Sequence, residues 1–310
     1  MASPGGRLYI RRMRAPFRKM HGCGNDFVVF DERARPFGFT PACAAALANR
    51  RTGIGCDQFI TIEPAPAGSG ADAFMRIRNP DGSEAGACGN ATRCVVHLLA
   101  AETGRPAQVI RTISGNLPGE QLADGRVRVD MGPARLHWSE IPLAEPADTL
   151  HLGLTAYPQP AGSQAIGGLS AGGLAAACLA DPAAASMGNP HATFFVPDLS
   201  AVPVEELGPV LEHDRMFPQR ANIGFAQVLA PDRLRLRVWE RGAGLTLACG
   251  SGACAALVNA HRRGLTGPRA AVLVDGGELE IEWRDLETVL MTGPVATAFT
   301  GEVELDDYPA

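Results

Sequence analysis

Apolar and polar residues alternate over short stretches along most of the chain, which is the pattern of half-buried β-strands. Clear examples are 127–131 (VRVDM) and 234–239 (LRLRVW), and turn residues separate such stretches. Helical patterns are fewer: one covers 41–49, and two follow Ala-Cys-Gly sequences, at 95–100 and 255–261. Many strands with few helices favour a mixed sheet or barrel around a helix over a doubly wound parallel sheet.

The two Ala-Cys-Gly sequences belong to an internal repeat. Four pairs recur in the same order at a nearly constant offset in numbering: Asn25 and Asn189, Gln58 and Asn222, Asn79 and Glu240, and Cys88 and Cys249. The spacing within each copy is also the same. Gln58 follows Asn25, and Asn222 follows Asn189, by 33 residues; each cysteine follows Asn79 or Glu240 by nine. Four pairs in register indicate a duplication. We therefore expect two similar α/β halves.

Length and composition fit a globular protein of two domains. The chain has 310 residues, of which 46% are hydrophobic and 20% charged. Its formal net charge of −5 gives no electrostatic reason to expect nucleic acid as a partner. The most apolar stretch, 169–180, is too short to cross a membrane. The N-terminus lacks the apolar core of a secretory signal, so we expect 1–14 to be a disordered basic extension, with a short organellar transit peptide as the alternative.

Cysteine usage indicates free thiols. Eight cysteines in 310 residues are too sparse for a disulfide framework. No C-x-x-C pair occurs, and the spacings 88/94 and 249/254 suit neither zinc ribbons nor thioredoxin-type motifs. We expect a reducing, cytoplasmic location and no metal. Most cysteines are expected to serve packing only: Cys43, Cys94, Cys178 and Cys254 in the core, and Cys23 and Cys56 in glycine turns.

Cys88 and Cys249 differ from the others because each directly precedes a predicted helix. A single cysteine in such a place is more often a small buried hydrophobe, but the shared context favours chemistry for the pair. Free N–H groups at a helix start can bind a carboxylate, and the same field is expected to lower a thiol pKa. Two facing thiols could invert a stereocentre next to a carboxylate, one removing the α-proton and the other delivering a proton to the opposite face. This reaction needs neither metal nor pyridoxal cofactor.

Six motifs, covering the chain from about residue 15, together resemble the diaminopimelate epimerase family. They are KMHGCGNDF (19–27), RTGIGCDQ (51–58), NPDGSEAGACGN (79–90), SMGNPH (186–191), ERGAG (240–244) and ACGSGAC (248–254). The resemblance implies an α/β (α+β) fold of two pseudo-symmetric halves, each a mixed, barrel-like sheet around a central helix. The active site would lie in the cleft between them. It also implies interconversion of LL- and meso-2,6-diaminopimelate without a cofactor, in lysine and cell-wall precursor biosynthesis.

The resemblance assigns roles by position in these motifs. Cys88 and Cys249 would be the two acid/base thiols. The positions that would bind substrate are Asn25, Gln58, Asn79, Gly89, Asn90, Asn189, Asn222, Glu240, Arg241, Gly250 and Ser251. Among them, Arg241 would hold the distal carboxylate and Glu240 would meet an ammonium group. Glu240 and His191 would also tune the thiol pKa values, although His191 could instead serve a turn and 240–241 could be a surface pair.

Two departures from the family pattern and two rival functions remain. Ala91 stands where the family usually has glycine, and Leu245 stands where an acidic residue is frequent.

A related proline or hydroxyproline racemase would share the fold and the thiols, but its first motif typically reads CGH, whereas Asn90 follows Cys88-Gly here. The rival from another class is a non-catalytic cysteine protein that binds metal or senses redox state.

The repeat and the motifs also predict how the chain is organised. The first half would span 15–133 and hold Cys88, and the second would span 134–295 and hold Cys249. We expect 296–310 to return to the first half, and the Gly/Ala/Pro-rich stretch 157–186 to be a loop or an insertion. The expected partners are the small-molecule substrate, diaminopimelate, and a second copy of the chain in a homodimer, with neither nucleic acid nor a membrane.

Overall fold

The computed structural model describes residues 13–156 and 179–309. Residues 1–12 of the predicted basic extension lie outside the described residues. So do Cys178 and most of the predicted loop or insertion at 157–186.

Strands dominate the described residues. Those of the first part of the chain are β1 (Arg14–Gly22), β2 (Asn25–Asp31), β3 (Gln58–Glu63), β4 (Ala73–Arg78), β5 (Glu84–Ala85), β6 (Ala107–Thr112), β7 (Gly115–Gln121) and β8 (Val127–Pro133). Those that follow are β9 (Thr155–Ala156), β10 (Leu179–Ala180), β11 (Ala183–Ser186), β12 (Pro190–Phe195), β13 (Asn222–Ala230), β14 (Arg233–Glu240), β15 (Gly244–Leu245), β16 (Arg269–Val274), β17 (Gly277–Arg284), β18 (Thr288–Gly293) and β19 (Ala296–Glu304). The α-helices of the described residues are α1 (Pro41–Ala48), α2 (Gly89–Thr103), α3 (Val204–Glu212) and α4 (Gly250–Arg262).

One mixed sheet of 17 strands runs through both halves. Its hydrogen bonds give the order β19-β1-β2-β3-β4-β6-β7-β8-β18-β17-β16-β14-β13-β12-β11, with β5 added to β4 and β15 added to β14. Four pairs are parallel, namely β2/β3, β4/β6, β12/β13 and β14/β16, and the others are antiparallel. The predicted mixed sheet with few helices is confirmed.

The second half repeats the strand pairings of the first, with the same directions. Strands β1 to β8 pair in the same order as β11 to β18, and the parallel pairs fall at equivalent places. The repeat extends to single residues: Phe27 lies opposite Gln58, and His191, its equivalent in the second half, lies opposite Asn222. The two pseudo-symmetric halves that the sequence predicts are therefore confirmed.

Each half wraps its strands around one helix that begins directly after a key cysteine. Helix α2 packs on β1, β6, β7 and β8, and it ends at Gly104, whose φ of +69° is the left-handed conformation that commonly terminates a helix. Helix α4 is its counterpart, and its alanine-rich middle, 253–258, is fully buried. Because alanine is small, the surrounding strands can approach this helix closely.

Strand pairing connects the two halves, and the last strand of the chain pairs with the first. Strand β8 pairs antiparallel with β18, and β19 returns to pair with β1, from Arg14 opposite Glu304 to His21 opposite Ala296. Past β19, the N–H of Leu305 donates to the carbonyl of Met13. The assignment of 296–310 to the first half, and the boundaries at 133/134 and 295/296, stay predictions.

The predicted helices differ from the observed ones mainly at their starts. Helix α2 begins at Gly89 and α4 at Gly250, well before the apolar runs, because both first turns consist of small or polar residues. Helix α3 has no counterpart among the predicted helices, since Pro209 inside it interrupts the helical pattern. Within the described residues, none of the helices combines the length and the apolar character that a membrane span requires.

Candidate active site

A cavity of about 1330 Å³ lies between the two halves. The predicted site residues that line it are Asn25, Gln58, Asn79, Cys88, Gly89, Asn90, Asn189, Asn222, Glu240, Arg241, Cys249, Gly250 and Ser251. His191 is the exception, because it lies buried behind this wall. The structure thus brings residues that lie far apart in the chain to one cavity.

Each of the two predicted catalytic thiols caps the helix that follows it. Sγ of Cys88 accepts a hydrogen bond from the N–H of Ala91 at 3.5 Å, and Sγ of Cys249 accepts one from Gly252 at 3.4 Å. Sulfur here takes the place of the side-chain oxygen that usually caps a helix. Both thiols therefore lie at the positive end of a helix dipole and line the same cavity.

The glycine after each cysteine is required by two methionines at the join of the halves. A Cβ atom at Gly250 would lie 2.9 Å from Sδ of Met291, and one at Gly89 would lie 2.5 Å from Cε of Met291 and 2.6 Å from Sδ of Met131. Met131 belongs to β8 and Met291 to β18, the strands that join the halves. The absence of side chains at both glycines lets the two helix starts approach the same apolar contact.

Burial, rather than the helix dipole, decides the pKa values of the two thiols. Burial is the largest cause, and the Glu240 carboxylate also raises both pKa values, whereas the N–H groups of the capped helices lower them by less than burial raises them. The net result is a pKa of about 11 for Cys88 and a pKa well above the ordinary value for Cys249. The helix starts thus act on the thiol pKa values in the predicted direction, but burial outweighs them and the net pKa of each thiol is raised.

A side-chain amide bridges the two cysteine-bearing turns. Nδ2 of Asn90 donates to Oδ1 of Asn25 at 3.1 Å and to the carbonyl of Ala248 at 3.2 Å. Asn90 follows Cys88 by two positions, and Ala248 directly precedes Cys249. One amide thus couples the positions of both thiols across the cleft.

A network of charged residues, which the sequence analysis did not identify, orients Asn25. Its Nδ2 donates to Oδ2 of Asp57 at 2.9 Å, and Asp57 accepts from Arg50 at 2.7 Å. Arg50 also bonds Asp26, which pairs with Lys19. Burial alone would raise the pKa of Asp26, but Arg50 and Lys19 lower it to about 2, so this carboxylate is ionised. Lys19, Asp26 and Asp57 lie inside the quoted motifs and Arg50 directly precedes one, yet no spacing rule predicts that these residues meet.

Gln58 and Asn79 form a polar wall on the first half. Nε2 of Gln58 donates to Oδ1 of Asn79 at 3.3 Å, and Nδ2 of Asn79 donates to Oγ of Ser83 at 3.1 Å. Oε1 of Gln58 is buried and has no hydrogen-bond partner within 13–156 and 179–309. Because buried acceptors are normally paired, a donor bound in the cavity would complete this wall.

In the second half, Glu240 lies against Cys249. Its carboxylate accepts a hydrogen bond from the hydroxyl of Thr246, and it lies close enough to the thiol of Cys249 for the two groups to shift each other's pKa. Burial raises the pKa of Glu240, whereas Thr246 and Cys249 lower it. The carboxylate is thus placed to take a proton from the thiol. Thr246 carries no sequence signal of its own, so the motifs do not reveal it.

Ser251 links Cys249 to His191. Oγ of Ser251 lies 3.7 Å from Sγ of Cys249 and 3.0 Å from Nε2 of His191, which also lies 3.0 Å from Oδ1 of Asn189. Burial and the nearby Arg241 lower the pKa of His191 to about 3, so its ring is neutral. Any tuning of the thiol by His191 would therefore act through Ser251.

Asn222 and Arg241 form the outer part of the second half's wall. Nδ2 of Asn222 donates to the carbonyl of Pro190 at 3.0 Å, and its Oδ1 accepts from the backbone N–H of Arg241 at 3.0 Å. Nη1 of Arg241 donates to the carbonyl of Gln219 at 3.0 Å. Asn222 therefore holds the backbone that carries Arg241, and its direct contact with substrate stays a prediction.

The other described cysteines are packing residues, as predicted. Cys23, Cys43, Cys56, Cys94 and Cys254 are all buried. Within the part of the chain that the structure describes, no three side chains of His, Cys, Asp or Glu group as a metal would require. The alternative of a metal-binding cysteine protein therefore finds no ligand set in those residues.

Sequence comparison identifies the family of this chain. The family described as diaminopimelate epimerase matches residues 17–137 and 183–298. The diaminopimelate epimerase of Acidiphilium cryptum is 59% identical over 289 residues, which is 93% of this chain and 96% of that protein. The diaminopimelate epimerase of Phenylobacterium zucineum is 52% identical over 291 residues, covering 94% of this chain and 98% of its own.

Solved structures share the fold at much lower identity. A hydroxyproline epimerase from Agrobacterium vitis has a TM-score of 0.64 at 16% identity, covering 96% of this chain and 94% of that one. A phenazine biosynthesis protein of the PhzF family from Enterococcus faecalis also has a TM-score of 0.64, at 14% identity, covering 94% and 99%. At such identities the likeness shows the fold alone, so the sequence matches decide the assignment. This chain belongs to the diaminopimelate epimerase family.

Proposed function

We propose that the chain interconverts LL- and meso-2,6-diaminopimelate, with Cys88 and Cys249 as the acid/base pair. The observation that carries the proposal is the placement of both thiols at helix starts that line one cavity. Relatives that match over nine-tenths of the chain are named diaminopimelate epimerases. The reaction belongs to lysine and cell-wall precursor biosynthesis.

The two thiols suffice for inversion of one stereocentre. A thiolate removes the α-proton, so that a C–H bond breaks, an S–H bond forms and the electron pair moves into the carboxylate as an enediolate. The thiol on the opposite face then gives its proton to the α-carbon and becomes the thiolate. The reverse reaction uses the same groups with their roles exchanged.

The helix starts stabilise the charge that develops on the reacting carboxylate. Gly89 and Asn90 begin α2, and Gly250 and Ser251 begin α4, so their N–H groups belong to the first helical turns. Preorganised N–H donors of this kind stabilise an oxyanion without reorganising during the reaction. The enediolate is more negative at oxygen than the substrate carboxylate, so these donors favour the transition state over the ground state.

Glu240 offers a route to the thiolate despite the raised thiol pKa values. When the Cys249 proton moves to the Glu240 carboxylate, a thiol and a carboxylate become a thiolate and a carboxyl group. The buried pair carries one negative charge before and after, so the transfer adds no charge to the site. Such a pair titrates as a unit, and neither pKa belongs to one residue alone.

The remaining polar wall is proposed to bind the second amino-acid head group. Arg241 can hold the distal carboxylate through paired N–H donors. Asn79, Asn189 and the unpaired Oε1 of Gln58 can bind the distal ammonium group, and Glu240 borders the same region. Neutral amides satisfy a zwitterion without adding net charge to the site.

Proton NMR in D2O tests the reaction. The protein is incubated under reducing conditions with LL-2,6-diaminopimelate, and in parallel with L-proline and trans-4-hydroxy-L-proline. Loss of the α-proton signal of diaminopimelate together with the meso product is expected. Exchange with proline substrates alone would move the protein to the racemase alternative, and no exchange with any substrate would overturn the assigned reaction.

A cytoplasmic homodimer is the proposed setting. The catalytic thiols must stay reduced, which a reducing compartment ensures. Strand β19 pairs on one edge with β1, and none of the other described strands pairs with it. Phe299 on this strand is half exposed, and an open edge with an aromatic side chain favours pairing with a second copy. Light scattering is expected to give twice the chain mass of 32.5 kDa, and a mass of one chain would refute the dimer.

A further inference from the structure

Arg93 is a fully buried cation beneath the two helix starts. Its Nη1 donates to Oδ1 of Asn90 at 2.8 Å and lies 3.4 Å from Sδ of Met291. Its Nε and Nη2 are buried and have no hydrogen-bond partner among the described residues. An uncompensated buried charge is costly, so its presence calls for a negative partner that arrives with the reaction.

Both halves leave room for this guanidinium. A Cβ atom at Gly22 would lie 2.5 Å from Nη2 of Arg93, and one at Gly293 would lie 3.2 Å from its Cζ. Gly22 ends β1 and Gly293 ends β18. The side chain therefore leaves α2 and enters the join between the halves.

Arg93 has no arginine equivalent in the second half of the repeat. Arg93 follows Cys88 by five positions, and the residue that follows Cys249 by five positions is Cys254, which is also fully buried. The titratable groups with the largest effect on Arg93 are the thiols of Cys23, Cys88, Cys94 and Cys254. None of these is a carboxylate, and within residues 13–156 and 179–309 no carboxylate forms an ion pair with the guanidinium.

We propose that Arg93 is a positioning residue for the epimerisation proposed above, on which this inference rests. It holds the Asn90 amide in one orientation and supplies the buried positive charge that offsets the Cys88 thiolate and the reacting carboxylate. With Oδ1 held by Arg93, Nδ2 of Asn90 must face Asn25 and the carbonyl of Ala248. Without this contact the amide can flip and place its oxygen against the Ala248 carbonyl, which separates the two cysteine-bearing turns.

The charges around Cys88 agree with this role. Burial raises its pKa and Glu240 raises it further, whereas Arg93 lowers it. Cys94 is the other titratable neighbour, and its own pKa is raised by burial to about 12, so it stays neutral. Arg93 is thus the cation that favours the thiolate at Cys88.

Arg93→Met and Arg93→Lys test the proposal, with Arg262→Met as the matched control. Arg262 is a partly buried arginine at the far end of α4, about 20 Å along the helix from Cys249, and it bonds Ala184 and Thr149. Thermal unfolding verifies that each variant folds. Cys88 alkylation by iodoacetamide, followed against pH by peptide mass spectrometry, reports the thiolate without substrate, and exchange of the diaminopimelate α-proton gives kcat and KM.

Arg93→Met is expected to move the alkylation midpoint of Cys88 to higher pH and to lower kcat by about 100-fold, with a smaller change in KM. Arg262→Met is expected to leave the midpoint in place. A folded Arg93→Met protein with wild-type midpoint and kcat would overturn the proposal.

Arg93→Lys carries the test if Arg93→Met does not fold. Lysine keeps the charge but cannot fix one orientation of Asn90, so the midpoint should stay while kcat falls. A wild-type kcat in this variant would refute the positioning role. Wild-type protein that fails to exchange diaminopimelate would refute the proposed function instead, and the alkylation midpoints would still report on Arg93.

Discussion

Gly276→Ala is expected to impair the active site from outside the cavity, by moving a turn of the opposite half. A Cβ atom at Gly276 would lie 1.7 Å from the carbonyl oxygen of Cys23 and 2.6 Å from the carbonyl carbon. Both atoms belong to the backbone, so no rotamer change can relieve the contact. Because Cβ atoms essentially never lie within 3.0 Å of such an atom, the turn must move by roughly 1 Å or more.

This turn leads directly into Asn25. The Asn25 side chain bonds Asp57 at 2.9 Å and Asn90 at 3.1 Å, so a shift of roughly 1 Å or more breaks the bridge between the two cysteine-bearing turns. A misplacement of about 1 Å can lower kcat by about 100-fold. Overpacking of this kind also lowers the free energy of unfolding by about 1–3 kcal/mol.

Denaturant unfolding and α-proton exchange measure the two effects. Gly267→Ala is the control, because it is the same substitution in the same half, where the nearest atom, the carbonyl oxygen of Arg269, is 3.9 Å away. We expect the control to keep wild-type stability and kcat. If Gly276→Ala behaves like the control in both assays, the close contact between the halves and its link to Asn25 are wrong.

Three further predictions concern the thiols. Cys88→Ala and Cys249→Ala are each expected to abolish epimerisation with little loss of thermal stability, and turnover by either variant would refute the two-base mechanism. Glu240→Gln is expected to move the rising limb of the kcat/KM profile to lower pH and to reduce kcat, because the carboxylate that raises the pKa of Cys249 is gone; an unchanged limb would contradict its role. Burial raises the pKa of Cys94 from 9.0 to about 12, so the stability gained from its neutral thiol is complete below pH 9 and is lost as the pH rises towards 12. Cys94→Ala should therefore flatten the fall of Tm above pH 9, and an equal slope would show that this thiol is not its source.

Much of the fold could be predicted because the duplication is recorded in residue spacing. Asn25 and Gln58 are related to Asn189 and Asn222 by one offset in numbering. The structure shows the same offset in its strand register, because equivalent residues lie opposite each other in β2/β3 and β12/β13. Polar residues at strand ends and cysteines at helix starts mark the same end of each half. Joining two such halves through β8 and β18 brings those ends to one cavity.

Features that depend on contact between the halves could not be predicted. The direction of the thiol pKa shifts follows from burial, which a single helix start does not reveal. Arg93, one turn into a helix, looks like an ordinary solvent-exposed arginine until β1 and β18 enclose it. Local patterns describe one half at a time, and these features need both.

The two halves differ in charge where the reaction needs them to differ. Both thiols cap a helix and precede a glycine, so the local backbone around them is similar. Their charged neighbours differ: Glu240 stands where the first half has Asn79, and Cys254 stands where it has Arg93. Two-base inversion requires one thiol and one thiolate at the same moment, and identical surroundings would not distinguish the two states. In the proposed mechanism, the cation beside Cys88 and the carboxylate beside Cys249 would give each thiol its own means of ionising, so that a pseudo-symmetric site could run the reaction from either face of the substrate.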